Sequence, residues 1–314
     1  MVIIISLNPC IDLTLSIPTL ILGGSHRTGH ARRDIAGKAV NVAHALNNLN
    51  QPCRVVGFHF NENGDLLAHS LEEAGIPYER IPVEGSIRTN IKIFEESSQV
   101  MTEINHPGDS VPQEAIDLLL QKIQESQKNP NSLLILSGSL PVGANPGIYG
   151  EIIAQSLQSG TPVILDTYGE ALLKGLEAGP YIIKPNLFEL ESTFSVSLPT
   201  RDAQLAFCQE LLARYKSLYA ICLSLGGDGA IIVGKTQAFF ASALNIPVQG
   251  VQGAGDSLVA GMVLEILLAS SPPLDEMLRS AMAMAAASLI CKGTQIGSLE
   301  DFEAMRKCVQ IVKI

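Results

Sequence analysis

The sequence has little positive charge. Its 314 residues contain 21 Lys and Arg against 31 Asp and Glu, a formal net charge of −10 at pH 7. Without a cationic excess, no broad face could neutralise nucleic-acid phosphates, so we expect no nucleic-acid partner. Charged residues make up only 17% of the chain and hydrophobic residues 46%, which excludes a disordered chain. An anionic substrate is compatible with this charge where a few cationic side chains converge in one cleft.

Paired cysteine motifs are absent as well. The sequence has no CxxC motif and no Cys and His at zinc-binding spacing, and its six cysteines are scattered along the chain. This pattern predicts buried thiols in a reducing compartment rather than disulfides or a metal site. The cysteines are Cys10, Cys53, Cys208, Cys222, Cys291 and Cys308.

Long apolar runs and linkers are also lacking. The longest apolar stretch, from Leu258 to Ala269, contains Glu265 and is too short to span a bilayer. The N-terminal apolar segment has no basic region before it, which favours a buried strand over a signal peptide. We therefore expect a cytoplasmic protein without a membrane partner. No internal repeat and no linker rich in Pro, Gly or Ser divides the chain, so we expect a single domain over residues 1–314.

What the middle of the sequence does contain is an alternation of short apolar runs and segments with helical spacing. The runs lack polar alternation, which is typical of strands that are buried on both faces of a parallel sheet. The alternation predicts an α/β fold, a doubly wound and mostly parallel sheet flanked by helices. The apolar runs are Leu133–Leu136, Val163–Leu165, Tyr181–Ile183 and Tyr219–Leu223. Helical spacing follows in Pro146–Ser156, Gly169–Leu176, Leu187–Phe194 and Ala203–Arg214, and near the C-terminus in Ser257–Leu268, Leu274–Cys291 and Leu299–Gln310.

Two regions do not fit inside such a sheet. In the second of them, Ile91 and Ile93 alternate with Asn90 and Lys92, which indicates strands with one covered and one wet face. We predict a small antiparallel flap, or lid, inserted at about residues 10–35 and 86–104. A plain edge hairpin on the main sheet is the alternative.

The segment from Gly229 to Thr236 matches the P-loop pattern GxxxxGK[ST] letter for letter. A P-loop needs a flexible loop that leads into a helix, whereas here the four intervening residues are strand material and another strand candidate follows. We therefore predict a β-hairpin that turns at Gly234 and Lys235, and no phosphate-binding loop.

A different glycine motif precedes a helix. Gly253-Ala254-Gly255-Asp256-Ser257 stands directly before the apolar helix, where small residues let a ligand approach unpaired backbone N–H groups. These groups and the helix dipole suit a phosphate or a developing negative charge. An acidic residue in this first turn also has a simpler explanation, since it can cap the helix.

Together with other motifs, this segment resembles the PfkB, or ribokinase-like, carbohydrate kinase family. The motifs occur in the family's order along essentially the whole chain. They are Ala36-Gly37-Lys38 followed by Asn41-Val42-Ala43, Ser137-Gly138-Ser139-Leu140-Pro141, Lys184-Pro185-Asn186-Leu187-Phe188-Glu189, Ser224-Leu225-Gly226 and GAGDS itself. The sugar-phosphate branch of the family is similar in three further segments, residues 7–12, 89–92 and 102–105.

The resemblance implies ATP-dependent phosphorylation of a ketohexose phosphate. Fructose 1-phosphate is the favoured substrate, with tagatose 6-phosphate or fructose 6-phosphate as alternatives. The implied partners are ATP, the sugar phosphate and a second copy of the chain bound through the lid. Mg²⁺ is expected with ATP, held mainly by phosphate oxygens and water, with Asn186 and Glu189 acting on it indirectly.

The resemblance also implies roles for individual residues. Asp256 is the expected general base, and the amides of Gly253, Ala254 and Gly255 are expected to bind the transferring group. The expected sugar-phosphate residues are Asp12, Arg27, Gly37, Lys38, Asn41, Arg88 and Ser139. The expected nucleotide residues are Lys184, Asn186, Glu189, Ser224, Gly226 and Asp228.

Simpler explanations exist for several of these residues. Arg27 and Arg88 could be surface charges, Asn186 and Glu189 could cap a helix, and Ser224-Leu225-Gly226 could be a turn.

The sequence departs from the family before GAGDS. Gly250-Val251-Gln252 stands where the family usually has Asn or Asp, then Thr, which puts a monovalent-cation site in doubt. The same departure leaves a second class of function open, a non-catalytic regulator that binds a sugar phosphate. Ala36 and Ala39 replace two glycines of a second family motif. The methyl group of Ala39 could crowd the sugar or merely strengthen the helix.

Overall fold

Two β-sheets of different size organise the structure, a computed structural model that describes residues 1–127, 132–269 and 271–314. The strands are β1 (Val2–Ser6), β2 (Cys10–Ile17), β3 (His30–Ala36), β4 (Cys53–Glu62), β5 (Tyr78–Ser86), β6 (Arg88–Glu95), β7 (Val100–Ile104), β8 (Leu133–Ser137), β9 (Val163–Asp166), β10 (Ile182–Ile183), β11 (Ala220–Ser224), β12 (Ala230–Gly234), β13 (Ala238–Ala241) and β14 (Val312–Lys313). The helices are α1 (Lys38–Asn48), α2 (Gly64–Glu73), α3 (Gln113–Ser126), α4 (Ile148–Gln158), α5 (Gly169–Ala178), α6 (Leu187–Phe194), α7 (Arg201–Arg214), α8 (Ala254–Leu268), α9 (Leu274–Leu289) and α10 (Leu299–Cys308).

The large sheet has the strand order β14-β13-β12-β11-β10-β9-β8-β1-β4-β5. The strands from β5 to β11 in this order pair in parallel, and β12, β13 and β14 add an antiparallel edge. The central strands are fully buried because their continuous apolar runs contact helices on both faces, as in Ile3, Ile4 and Ile5 of β1. The mostly parallel α/β sheet predicted from the alternation is confirmed.

The four predicted core strands correspond to β8, β9, β10 and β11, and the predicted helices differ from the observed ones by only a few residues at their ends. The segment with the P-loop pattern is confirmed as a hairpin, because β12 and β13 pair antiparallel around the turn at Gly234 and Lys235, with Val233 opposite Ala238. It leads into a strand, and therefore lacks the helix that a P-loop needs.

Helices α8 and α9 pack against each other at unusually short range. A Cβ atom added to Gly261 of α8 would lie 2.3 Å from the backbone oxygen of Ser280 in α9. The alanine-rich sequence of α9 allows this approach, because side chains of one carbon leave room for the neighbouring backbone. Among the described residues, no helix is both long enough and apolar enough to cross a bilayer.

The small sheet has the order β3-β2-β6-β7, and we call it the lid sheet. It is separate from the main sheet, so the alternative of an edge hairpin is wrong. Its pairs β2–β3 and β6–β7 are antiparallel as predicted, but the central pair β2–β6 is parallel. β2 follows β1 and β6 follows β5, which are parallel members of one sheet, so both lid strands leave that sheet in the same direction. The sequence pattern of each segment alone could not show this.

Candidate active site

The helix α8 begins without a side-chain cap. Its N-cap residue is Gly253, which has the left-handed φ of 75° that favours glycine, and no side chain in the described part of the chain caps its first turn. The backbone N–H groups of this turn therefore remain available to a ligand, and the positive end of the helix dipole reinforces them. Asp256 is the third residue of the helix and its side chain is buried.

The carboxyl group of Asp256 is tuned by its surroundings. Burial and the nearby carboxylate of Asp166 raise its pKa to about 6, while Lys38, a hydrogen bond from Asn41 and Lys184 act in the opposite direction. A carboxylate with this pKa is ionised at neutral pH but holds a proton much more readily than an exposed Asp. The group is therefore suited to accepting a proton from a hydroxyl.

A second uncapped helix start faces the first. α1 follows Gly37, whose φ is 118°, and no side chain caps it. A Cβ atom on this glycine would lie 3.2 Å from Cα of Pro9, so the close passage of two backbones requires glycine here. One turn into α1, Asn41 Nδ2 donates a hydrogen bond of 2.8 Å to Asp256 Oδ2. Two helix N-termini with free N–H groups thus flank one buried carboxylate.

A cluster of buried charges lies beside α8. Asp166, at the end of β9, is fully buried and contacts Lys38 Nζ at 3.1 Å and Lys184 Nζ at 3.2 Å. Although burial opposes ionisation, these two ammonium groups hold the pKa of Asp166 below its usual value. Lys38 also contacts Glu189 at 2.9 Å. A Cβ atom on Gly255 would lie 3.9 Å from Lys184 Nζ, which connects this charge cluster to the start of α8.

The predicted nucleotide residues are only partly brought together. Asn186 and Glu189 form a capping box on α6, so the simpler explanation holds for them, and Glu189 binds Lys38 with its other oxygen. Ser224 lies next to them, because it forms a parallel bridge with Asn186. Gly226 and Asp228 form a short 3₁₀ turn after β11, with Asp228 exposed, and no described side-chain contact joins them to the charge cluster.

The lid sheet contributes a second cluster. Asp12 of β2 is buried and contacts Lys92 Nζ of β6 at 2.6 Å through Oδ2. Its Oδ1 accepts a hydrogen bond of 3.0 Å from Asn90 Nδ2. In the parallel register Asp12 lies opposite Asn90, and Thr14 lies opposite Lys92. These polar side chains occupy one face of the lid sheet.

Arg88 connects the lid to the loop after β8. Its Nη1 donates to the backbone oxygen of His106 at 3.0 Å, and its Nε donates to that of Asn8 at 3.3 Å. Asn8 Nδ2 in turn donates to Ser139 Oγ at 3.2 Å. Arg88 and Ser139 are thus brought to one place, whereas Arg27 is not. Its exposed side chain, in the loop between β2 and β3, has no hydrogen bond or ion pair to the described part of the chain.

Sequence reasoning assigned no role to four residues that the structure places in these clusters. Asp166 carries a recognisable signal, a single carboxylate at the end of an otherwise apolar strand. Asn90 and Lys92 lie at alternating positions of a lid strand, and Asn8 precedes a proline in the segment that follows β1. Asn8, Asn90 and Lys92 lie in segments that resemble the sugar-phosphate branch, and their contacts with Asp12 and Ser139 show which cluster each side chain joins.

The segment that departs from the family pattern lies between the lid sheet and the loop that follows α9. Residues 249–252 line a cavity of about 360 Å³ together with Thr14, Arg32 and Phe94 of the lid sheet. The Oε1 atom of Gln252 is buried there without a hydrogen-bond partner among the described residues.

Comparison with known proteins agrees with this arrangement. The model of the pfkB family carbohydrate kinases matches residues 2–301. A 1-phosphofructokinase of Vibrio cholerae is 32% identical over 315 aligned positions, covering 99% of this chain and 96% of its own. A 1-phosphofructokinase of Escherichia coli is 30% identical, covering 98% and 96%. The crystal structure of Escherichia coli phosphofructokinase-2 in complex with substrates and products has a TM-score of 0.90 at 25% identity, with 98% of each chain covered. The chain belongs to the PfkB family of carbohydrate kinases, enzymes that transfer a phosphoryl group to an alcohol.

Proposed function

We propose that the protein transfers the γ-phosphoryl group of ATP to the free primary hydroxyl of fructose 1-phosphate, giving fructose 1,6-bisphosphate and ADP. The buried Asp256 carries this proposal, because it lies at the free N-terminus of α8, with a raised pKa and a hydrogen bond from Asn41. The family and the relatives named 1-phosphofructokinase support the substrate.

In the proposed reaction, the oxygen of the sugar hydroxyl forms a bond to the γ-phosphorus, and Asp256 accepts the proton of that hydroxyl. The bond from that phosphorus to the bridging oxygen of ADP breaks in the same transfer. The free N–H groups of Gly253, Ala254 and Gly255 stabilise the negative charge on the moving phosphoryl group. Phosphoryl transfer needs mainly positioning and charge neutralisation, which this helix start supplies.

The sugar phosphate is proposed to lie between the lid sheet and α1. Asp12 and Asn41 are placed to bind sugar hydroxyls, and Gly37 and Lys38 provide the helix start and a cation beside them. Arg88 and Ser139 are proposed to bind the existing phosphate, since a guanidinium matches the geometry of phosphate oxygens. Arg27 keeps its proposed phosphate role only if a second subunit or a movement of its loop brings it to the site.

The nucleotide is proposed to lie on the other side of Asp256. Lys184 is held by Asp166 near the start of α8, where it can bind nucleotide phosphates. Ser224, Gly226 and Asp228, at the end of β11 and in the turn after it, are proposed to bind the nucleotide as well. Both oxygens of Glu189 are engaged, one by Lys38 and the other by the N–H group of Asn186. These residues therefore fit a metal that is bound through water, and Mg²⁺ with ATP would neutralise phosphate charge there.

The lid is also proposed to bind a second copy of the chain. On the face of the lid sheet opposite Asp12 and Lys92, Leu13 lies opposite Ile91, and Ile91 lies opposite Ile104. Leu13 and Ile91 are half-buried and 55% of Ile104 is exposed. An apolar face of this kind favours association, and we propose a homodimer through the lid. We also propose that all of residues 1–314 form one kinase domain.

Two measurements test the proposed function. The first compares ADP release with fructose 1-phosphate, tagatose 6-phosphate and fructose 6-phosphate, and we expect the highest kcat/KM with fructose 1-phosphate. The second uses Asp256→Asn, which keeps the shape of the side chain but removes its basicity. We expect kcat to fall by roughly 100-fold or more while the sugar phosphate still binds.

Each alternative has a distinct outcome. The lowest kcat/KM with fructose 1-phosphate would overturn the proposed substrate. Tight binding of a sugar phosphate by the wild-type chain, without any ADP release, would indicate the non-catalytic regulator instead. Near-normal activity of Asp256→Asn would remove Asp256 from the role of base. Asp117→Asn, which alters an exposed carboxylate on α3, is the matched control and should leave kcat unchanged.

A further inference from the structure

A buried lysine of the lid has no role in the reaction described above. Lys92 is only 6% exposed, and its ammonium group contacts Asp12 Oδ2 at 2.6 Å. The other carboxylate near it among the described residues is Glu103, at 3.8 Å, which is too long for a hydrogen bond. Burying an ammonium group is costly unless its N–H groups find partners. The ammonium group of Lys92 has three N–H donors and one close acceptor, which suggests that a polar ligand accepts the remaining hydrogen bonds.

A neighbouring side chain also lacks a hydrogen-bond partner among the described residues. Thr14 lies directly opposite Lys92 in the parallel register of β2 and β6. Its hydroxyl oxygen is buried and has no hydrogen-bond partner in the described part of the chain. Unsatisfied buried hydroxyls are uncommon in native proteins, so this orphan atom independently points to a missing polar group at the same face of the lid.

The chemistry of the missing group follows from the pair itself. Asp12 and Lys92 present an acceptor and a donor side by side, and a hydroxyl is the group that can donate to one and accept from the other at the same time. A phosphate could accept from Lys92 but would be repelled by Asp12. An apolar group would leave both charges without a partner.

We propose that Lys92 is a second sugar-binding residue of the lid, and that Lys92 and Asp12 together bind one hydroxyl of the ketose. This inference rests on the proposed function, because it takes the ligand of Asp12 to be the sugar. Lys92 thereby contributes to the choice of sugar, since a ketose that directs this hydroxyl elsewhere leaves a buried ion pair without its partner.

The test measures steady-state kinetics of Lys92→Met and Lys92→Gln against both substrates. A hydrogen bond to a charged group is worth enough to change affinity roughly tenfold to 100-fold, so we expect KM for fructose 1-phosphate to rise by that factor. KM for ATP should change less than twofold. Lys174→Met removes an exposed lysine that pairs with Glu177 on α5, and is the matched control.

A double-mutant cycle separates binding from folding. If Asp12 and Lys92 hold one hydroxyl together, Lys92→Met should cost far less in the Asp12→Asn background than in the wild type. Calorimetric binding of the sugar phosphate to Asp256→Asn, with and without Lys92→Gln, gives a readout without turnover. The thermal midpoint of each variant shows whether it is folded.

The possible outcomes distinguish a failure of the Lys92 inference from a failure of the proposed substrate. If a folded Lys92→Gln variant binds the sugar phosphate as tightly as its parent, the inference is wrong. An equal rise of KM for ATP and for the sugar would also overturn it, because that pattern indicates a general structural role. If the wild type prefers another ketose phosphate, the proposed substrate is wrong. The Lys92 inference is then tested by comparing KM of the Lys92 variants with KM of the wild type for that other sugar phosphate.

Discussion

Single residues at this site depend on buried charges that hold one another in place. Asp166 accepts from two lysines and from Ser137 Oγ at 3.0 Å, so its carboxylate holds two cations near Asp256. An isolated buried carboxylate would be protonated, whereas this one is ionised because its partners are near. The same negative charge acts on Asp256 and raises its pKa.

The first prediction concerns the pH dependence of the reaction. Because Asp256 must be deprotonated to act as a base, kcat/KM should fall as pH drops through about 6, the pKa of this group. Asp166→Asn removes a negative charge and releases two lysines, and both changes favour the ionised form of Asp256. We expect the acidic limb of the kcat/KM profile to move to lower pH, measured from pH 4.5 to 8.

The maximum rate should also fall in Asp166→Asn, because Lys38 and Lys184 lose the carboxylate that orients them. Asp117→Asn serves as the control and should leave the profile in place. A folded Asp166→Asn variant whose acidic limb coincides with that of the wild type would contradict the electrostatic coupling.

At the scale of elements, the helices differ in how they begin. α6 and α10 carry full capping boxes, Asn186 with Glu189 and Ser298 with Asp301, whereas α1 and α8 start at glycines without any side-chain cap. A capped helix satisfies its own N–H groups, and an uncapped one offers them to a ligand. Helices α2, α3, α4, α5 and α9 also lack a side-chain cap, so what distinguishes α1 and α8 is that both start beside the buried carboxylate of Asp256.

The close contact of α8 and α9 gives a prediction at this scale. Gly261→Ala places a methyl group 2.3 Å from the backbone oxygen of Ser280, so one helix must shift. We expect a loss of roughly 1–3 kcal/mol in the free energy of unfolding, as for other overpacked cores, measured by urea denaturation.

Gly29→Ala is the control, because a Cβ atom at that position meets nothing within 4 Å. Its free energy of unfolding should stay within about 0.5 kcal/mol of the wild type. Equal stability of Gly261→Ala and Gly29→Ala would show that the helices can separate without cost. A drop in kcat of Gly261→Ala is also expected, since α8 carries Asp256.

At the scale of the whole molecule, the lid sheet has two faces with different chemistry. One face carries Asp12, Asn90 and Lys92, and the other carries the apolar side chains around Ile91. A second copy of the chain would cover the apolar face and would hold the lid over the sugar. Exclusion of water by such a lid limits transfer of the phosphoryl group to water.

The prediction at this scale concerns the oligomeric state. Ile91→Asp places a charge at the centre of the apolar lid face, and we expect the dimer to dissociate at micromolar concentration in sedimentation experiments. Leu66→Asp alters an apolar side chain on α2 that is 43% exposed, and should leave the dimer intact. A wild-type chain that sediments as a monomer would contradict the proposed homodimer.

Much of the fold could be predicted from local patterns. The buried runs of β8 to β11 contain almost only apolar residues, and their alternation with helices leaves a parallel sheet as the expected arrangement. The alternation of apolar and polar residues in β6 predicted a separate small sheet. The parallel pairing of β2 with β6 could not be predicted, because it depends on where two distant insertions leave the main sheet.

The candidate site was predicted unevenly for the same reason. Asp256 and the glycines before it form a continuous motif, so the sequence alone indicates them. Asp166 belongs to no such motif, and Lys92 lies in a family segment that by itself assigns it no role. The partners of both residues are distant in the chain, as with Lys38 and Asp166, which are 128 positions apart. Arg27 also occupies a position suggested by the family resemblance, but its side chain is exposed and has no hydrogen bond or ion pair to the described residues.

The sequence by itself determined the class of fold, the order of its elements and the identity of the helix that begins at a glycine motif, because periodicity and backbone preference act over a few neighbouring residues. The tertiary structure alone decided which charges meet, which polar groups lose their water and which lid strands pair. Those outcomes depend on the order of strands in the sheets, and local sequence patterns do not indicate which distant segments come into contact.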